Sequence, residues 1–327
     1  MFPRDAAEAA AWYVRQEPVP ASLAGKLPGI IHDLLERGVL VGGKVERRIG
    51  TEKPWHMAAF GLAGFLDPRL AERLLKNPHP FLGMHILERI AEKGVRGTLL
   101  SRRRVARDNA APEPRLNMVG LCWLQDHYDY SSADGRNLLE GVFRLIDRLL
   151  SGYHLATLMF EGRARHRDVH RTAGFQKLID FSDDADPRFA HLRADPRYRP
   201  HLQGIFLRSA VNELLPGSPV ARLFVHRQPV FGLTEAQKQV VDLALDGLSD
   251  AEIARHLGIR ENAVQMRWKH IYERIESLFP DFFLSRGMTD ANIARGREKR
   301  RMVLGYMEDH REELRPWNPG RNARRRA

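Results

Sequence analysis

The sequence predicts an α/β N-terminal domain, a sheet flanked by helices, followed by an all-α C-terminal domain. Three observations carry that prediction. Between Asn117 and Phe181, strand-length apolar runs alternate with helix-length runs across short links. Between Leu233 and Ile275, three runs with helical apolar spacing follow one another, the first two opened by capping-box residues. Between them, Leu215–Gly232 holds Pro216, Gly217, Pro219 and Pro229, which reads as a linker. The expected division is 1–215 for the α/β domain, 216–232 for the linker, 233–280 for the helical domain and 281–327 for a basic helical extension and tail.

Asp5 is placed to cap a helix over Ala6–Arg15 that Pro18 and Pro20 end. Pro28 starts a helix over Gly29–Arg37, closed by Gly38. Val39–Ile49 and His56–Leu66 have strand-like apolar content, although AAFGLAGFL also fits a buried helix segment. Pro68–Leu75 and Phe81–Glu92 read as amphipathic helices. Ser101–Pro114 is polar and arginine-rich, and it reads as a loop. Asn117–Leu124 reads as a strand and Arg136–Leu150 as a helix capped by Ser132 or Asp134. Leu155–Phe160 is the next strand, Arg163–Thr172 a basic helix closed by Gly174, and Phe175–Phe181 a third strand. His201–Leu214 reads as one more helix.

In the C-terminal part, Thr234 with Gln237 and Ser249 with Glu252 form capping boxes for two helices. Val240, Val241, Leu243 and Ala244 form the inner face of the first; Ile253, Ala254 and Leu257 form that of the second. Gly258 supplies a tight turn. A third helix from about Glu261 to Ile275 turns Val264, Trp268, Ile271 and Ile275 inward. Its opposite face carries Asn262, Gln265, Met266 and Lys269, with Arg267 near it and Arg260 before it.

This stretch resembles the LuxR/GerE-type helix-turn-helix module. The matching residues are Leu233-Thr234, Val240, Leu243, Ala244, Gly247, Leu248-Ser249, Glu252-Ile253-Ala254, Leu257, Ile259, Val264 and Ile271. The resemblance implies that the third helix enters the DNA major groove. It implies that Gln265, Met266 and Lys269 face bases and that Arg260 and Arg267 serve phosphates. The sequence departs from the family at Gln237, Arg260, Ala263, Gln265 and Arg267, where Glu, Ser, Thr, Lys or Arg, and His are usual. The target sequence therefore does not transfer.

Beyond the module, Leu278–Leu284 is an apolar patch expected to pack back on it. Glu298–Leu314 reads as a helix with Met302, Val303, Tyr306 and Met307 on one face, serving a dimer, the N-terminal domain or a local core. The chain carries a formal charge of +11. From Arg295 to Ala327 there are eleven Lys and Arg against five Asp and Glu, so much of the excess lies here. Such a balance favours an anionic partner. Arg324–Arg326 is expected to be a solvated tail or a phosphate-tracking arm.

Cys122 is the only cysteine, which excludes an internal disulfide and a cysteine-based zinc site. No window approaches a membrane span and the N-terminus lacks a signal-peptide core, so a cytoplasmic location is expected. Gly38–Lys44 has P-loop spacing, but Val45 stands where Ser or Thr would hold magnesium. No Asp pair follows an early strand, which argues against a phosphorelay receiver. His166 and His170 have metal-ligand spacing without further ligands nearby. The basic helix Gly162–Gly174 and Arg102–Arg104 read mainly as solvated faces.

Two resemblances remain open for the N-terminal domain. One is an autoinducer-binding α/β/α domain, with Trp55, Phe60, Phe65, Trp123, Tyr128, Tyr130 and Phe143 as pocket candidates. The other is a GNAT-type acyltransferase-like fold, in which Gln125–Arg136 stands where a glycine-rich turn binds acyl-CoA pyrophosphate. That stretch lacks the basic, glycine-rich pattern. The expectation is a homodimeric, sequence-specific DNA-binding transcription regulator without a cofactor or catalytic activity. Its N-terminal domain senses a ligand or partner protein. The alternative is an acyltransferase-like enzyme, or an acyl-CoA or acyl-homoserine-lactone binder, that carries the same module.

Overall fold

The computed structural model describes residues 3–48, 55–163, 168, 171, 173–174, 177–181, 201–208, 218–284 and 296–318. The chain divides into two compact units, one holding Met1–Val225 together with Asn318–Ala327 and the other His226–Trp317.

The first unit is a mixed α/β structure. Helices α1 (Ala6–Gln16), α2 (Ala21–Ala24) and α3 (Leu27–Glu36) precede strands β1 (Leu40–Arg47) and β2 (His56–Phe65). Then come α4 (Pro68–Lys76), α5 (Leu82–Lys93), α6 (Arg102–Asn109), β3 (Leu116–Gln125) and α7 (Ala133–Leu150). Strands β4 (Leu155–Arg163), β5 (Lys177–Asp180) and β6 (His201–Leu207) and helix α8 (Pro219–Leu223) complete it. The strands form one sheet in the order β1-β2-β3-β4-β6-β5. Every neighbouring pair is antiparallel except β3 with β4, which run parallel and are joined through α7.

Strand β2 shows why its sequence was ambiguous. Residues Met57–Phe65 are all buried, because helices cover the sheet on both faces. A strand buried on both faces loses polar–apolar alternation. On one face, Phe60 and Leu62 join Trp12, Ile31, Leu34 and Ile86 from the helices. On the other, Phe65, Met118 and Leu158 meet Val220 and Leu223 of α8 and Phe143 of α7.

Several expectations need correction. Ser101–Pro114 is no loop: Ser101 Oγ caps α6 by accepting from Arg104 N at 3.4 Å, and Val105 is buried. Arg104 pairs with Asp67 at 3.1 Å, and Asn109 Oδ1 accepts from His154 N at 2.7 Å. The polar composition is thus satisfied by tertiary partners. Residues 201–207 are a strand and not the start of a helix, because β6 pairs β4 and β5 on its two sides. Such non-local pairing overrides local periodicity. Nor are the described residues of the expected linker 216–232, from Ser218 on, free of the core. Ser218 caps α8, and Val220, Leu223 and Phe224 lie in the core of the first unit. The compact units accordingly part after Val225.

The glycines of the P-loop-like stretch have another purpose. Gly42 and Gly43 lie within β1, and a Cβ on Gly43 would sit 2.5 Å from Leu149 of α7. Lys44 pairs with Asp5 at 3.2 Å and Glu46 at 2.9 Å. This is a helix-packing surface on an extended strand and not a phosphate cradle. His166, His170 and most of the basic helix Gly162–Gly174 lie outside the described residues, except that Arg163 ends β4.

Among the described residues, the regular structure of the second unit is helical: α9 (Glu235–Leu245), α10 (Asp250–Leu257), α11 (Glu261–Leu278) and α12 (Gly296–Asp309), followed by a 3-10 turn at Arg311–Leu314. The helix expected over Glu298–Leu314 therefore breaks at His310. Among the described residues, no helix is long and apolar enough to cross a membrane.

Gly83 is where α5 meets β3 most closely. A Cβ there would lie 1.6 Å from the Leu121 carbonyl oxygen, a backbone atom that cannot swing aside. Gly83→Ala is expected to destabilise the protein by about 1–3 kcal/mol, as overpacked core substitutions do. Urea denaturation of the two proteins measures this, and equal midpoints would contradict the account.

Candidate functional site

The site candidates of the second unit depend on how α11 is held. Thr234 N donates to Gln237 Oε1 at 2.8 Å, while Gln237 N donates to Thr234 Oγ1 at 3.3 Å. At α10, Ser249 N donates to Glu252 Oε2 at 2.8 Å and Glu252 N to Ser249 Oγ at 3.4 Å. Both reciprocal boxes fix where a helix begins. The Ser249 hydroxyl and amide hold the Glu252 carboxyl below its ordinary range. Gly258 ends α10 in the left-handed conformation, φ 64°, and so turns the chain sharply into α11.

On α11, Val264, Trp268, Ile271 and Ile275 are buried. Their spacing leaves Asn262, Gln265, Met266 and Lys269 together on the outer face at i, i+3, i+4 and i+7, and all four are exposed. Met266 is an apolar side chain kept in solvent at 41% exposure. Arg260 is exposed at the N-cap position, where it makes no capping bond. Arg267 stands apart: it is half-buried and donates to the Ala236 carbonyl of α9 at 3.5 Å. Lys269 reaches Glu273 at 3.8 Å, a loose exposed pair.

The extension packs on its own module. Phe231 is fully buried, edge-on to Phe279 and Phe282 and tilted against Tyr306 of α12. Phe282 also meets Phe283 edge-on, and Met302, Val303 and Met307 are buried. Arg300 lies 4.9 Å from the centre of the Trp268 ring, pairs with Asp250 at 2.7 Å and donates to Leu248 O at 3.1 Å. Lys299 pairs with Glu276, and Lys238 donates to the Arg315 carbonyl. Part of the positive charge that made this region look like a nucleic-acid arm, on Lys299 and Arg300, is engaged within the unit. No local pattern signals this, because the partners lie between 23 and 77 residues away.

In the first unit, β3 and β4 pair from Leu116↔Leu155 to Val119↔Met159 and then part, although β3 runs on to Gln125 and β4 to Arg163. A cavity of about 480 Å³ lies where they separate. Of the expected pocket aromatics, Trp123, Tyr128, Tyr130 and Phe143 line it. Phe60 and Phe65 are core, and Trp55 is 65% exposed. Gln16, Glu17 and Glu161 also line it and were not singled out from sequence. No family model, curated protein or solved structure matches the chain. The two sites therefore stand on their geometry alone.

Glu313 ties the extension to the start of the helical unit. Its carboxylate accepts from Val230 N at 2.7 Å and Phe231 N at 3.1 Å. Burial raises its pKa above the ordinary carboxyl value, and the two amide bonds only partly oppose this. A carboxyl with a raised folded pKa supports the fold fully below its unfolded pKa, and that support is lost as pH rises through the folded value. Glu313→Gln stays neutral throughout. Its stability relative to the parent is therefore expected to improve from pH 4 to pH 7 in denaturant titrations, whereas a pH-independent difference would contradict the burial argument.

Proposed function

We propose that the chain is a sequence-specific DNA-binding transcription regulator whose α10–turn–α11 segment acts as a helix-turn-helix. The observation that carries this reading is the exposed stripe of Asn262, Gln265, Met266 and Lys269 on a helix anchored by its opposite face. These side chains match what base edges offer. Gln and Asn pair with adenine, Lys reaches guanine or a phosphate, and Met contacts a thymine methyl. Arg260, at the helix start, suits a phosphate. Arg267, held toward α9, is the weaker candidate for direct contact.

The stripe spans the eight residues Asn262–Lys269, roughly 10 Å of helix, which matches about three base pairs. So small a footprint gives modest affinity, and a homodimer on two half-sites supplies the remainder. Met1–Val225 is read as the part that senses a ligand or partner. The acyltransferase-like alternative draws support from the order β3, α7, β4, β5. Its difficulty is the turn between β3 and α7. Asp126 in that turn and Asp134 in the first turn of α7 share Arg47, at 2.8 and 2.6 Å, and hydrogen bonds from Ser131 lower the Asp129 pKa. An acidic turn repels a pyrophosphate.

The test is selection of DNA from a random pool, followed by fluorescence anisotropy on the enriched site at about 50 mM and 200 mM salt. Gln265→Ala is expected to relax one position of the site by about 1–3 kcal/mol, and Lys269→Ala to weaken binding. Absence of enrichment, or binding indifferent to both substitutions, would overturn the reading.

A further inference from the structure

We propose that Arg300 of α12 is a positioning residue for DNA reading. It fixes the angle between α10 and α11, and with it how Asn262, Gln265, Met266 and Lys269 meet base edges. One guanidinium touches both helices of the pair. Its Nη1 pairs with Asp250 at 2.7 Å and its Nη2 donates to Leu248 O at 3.1 Å, both at the start of α10. Its Cζ lies over the Trp268 ring of α11, 4.9 Å from the centre.

This is no loose surface pair. The Arg300 and Asp250 side chains are 24% and 23% exposed, so solvent screens them less than it screens the other pairs of the helical surface. Arg300 also stands at the N-terminus of α10, where the helix dipole presents its positive end and disfavours a cation. The Asp250 carboxylate and the Leu248 carbonyl oppose that repulsion. Trp268 is buried, and its Nε1 has no hydrogen-bond partner among the described residues. The indole is therefore held by its ring and not by its N–H. Arg300 covers that ring, and Tyr272 stacks on it at 5.8 Å. The neighbouring Lys299 pairs with Glu276 in the last turn of α11, and its Nζ lies 5.1 Å from the Phe283 ring centre.

Helix α10 needs such a tie. It is eight residues long, and Ile253 and Ala254 are the residues it buries. Two side chains on one turn leave the helix free to rock about them. A charge-assisted bond at its start, continued onto the ring of its partner helix, removes that freedom. Base reading tolerates little rocking, because a paired hydrogen bond to a base edge needs both distances correct at once. Arginine alone supplies two donors and a flat face together. Lysine keeps the charge and loses the fork and the stack. This role rests on the regulator reading of the helical unit.

The test compares the full-length parent, Arg300→Lys and Asp250→Ala by fluorescence anisotropy on three duplexes: the site enriched from the random pool, that site with one base pair changed, and unrelated DNA. Arg300→Lys leaves the net charge unchanged, and Asp250→Ala makes it more positive. A guanidinium that only added charge would leave the first variant like the parent and let the second bind every duplex more tightly. Positioning gives a different pattern. Both variants are expected to lose at least about fivefold of the preference for the enriched site over the changed one, while affinity for unrelated DNA stays within about twofold. The preference is a ratio of two affinities, so a smaller folded fraction, which weakens all three alike, does not alter it. An unchanged preference in either variant overturns this inference and leaves the regulator reading standing. A parent that enriches no site overturns that reading and this inference with it.

Discussion

The first unit depends on a parallel pairing that begins and then stops. Strands β3 and β4 share hydrogen bonds only as far as Val119↔Met159. Had the pairing continued, the sheet would be closed and its two apolar faces would meet their helices with no space between. Because the strands part, residues beyond Gly120 and Met159 lose their ladder partners along that edge and must find others. The Gln125 backbone bonds the Tyr128 hydroxyl and the Gln16 amide instead, and beside it the Glu161 side chain takes the amides that open α5. The cavity lies beside these residues, which line it.

In the second unit the equivalent constraint is local. Capping boxes set where α9 and α10 start, and a left-handed glycine sets the turn into α11. Each acts over three or four residues, and for that reason each was legible in the sequence. So was the inner face of α11, since Val264, Trp268, Ile271 and Ile275 follow the helical period. Once that face is buried, the exposure of Asn262, Gln265, Met266 and Lys269 follows from geometry.

What the sequence did not disclose follows from distance along the chain. Residues 201–207 have helical spacing, yet their backbone pairs with β4 some forty residues earlier. The arginine-rich segment at α6 is polar, yet Asp67 and His154 supply the partners that let it fold against the sheet. Pro219 reads as linker punctuation, yet it occupies the first turn of a capped helix, where its missing N–H costs nothing. The cavity likewise draws Gln16 from α1 and Glu161 from β4. No spacing rule joins residues so far apart.

Charge is the clearest case of composition pointing to a class of partner for an incomplete reason. Eleven Lys and Arg after Ala294 would mark the footprint of a polyanion if they all faced solvent. Arg300 instead stacks on Trp268 and bridges Asp250 and Leu248, Lys299 pairs with Glu276, and Arg301 pairs with Glu298. A guanidinium stacked on an aromatic face and bonded on both sides contributes rigidity to the helix it touches, and Trp268 belongs to α11 itself. On the proposed reading, the extension therefore bears on DNA recognition chiefly by stiffening the reading helix from behind, and what touches a nucleic acid is decided by the few uncommitted side chains on its outer face.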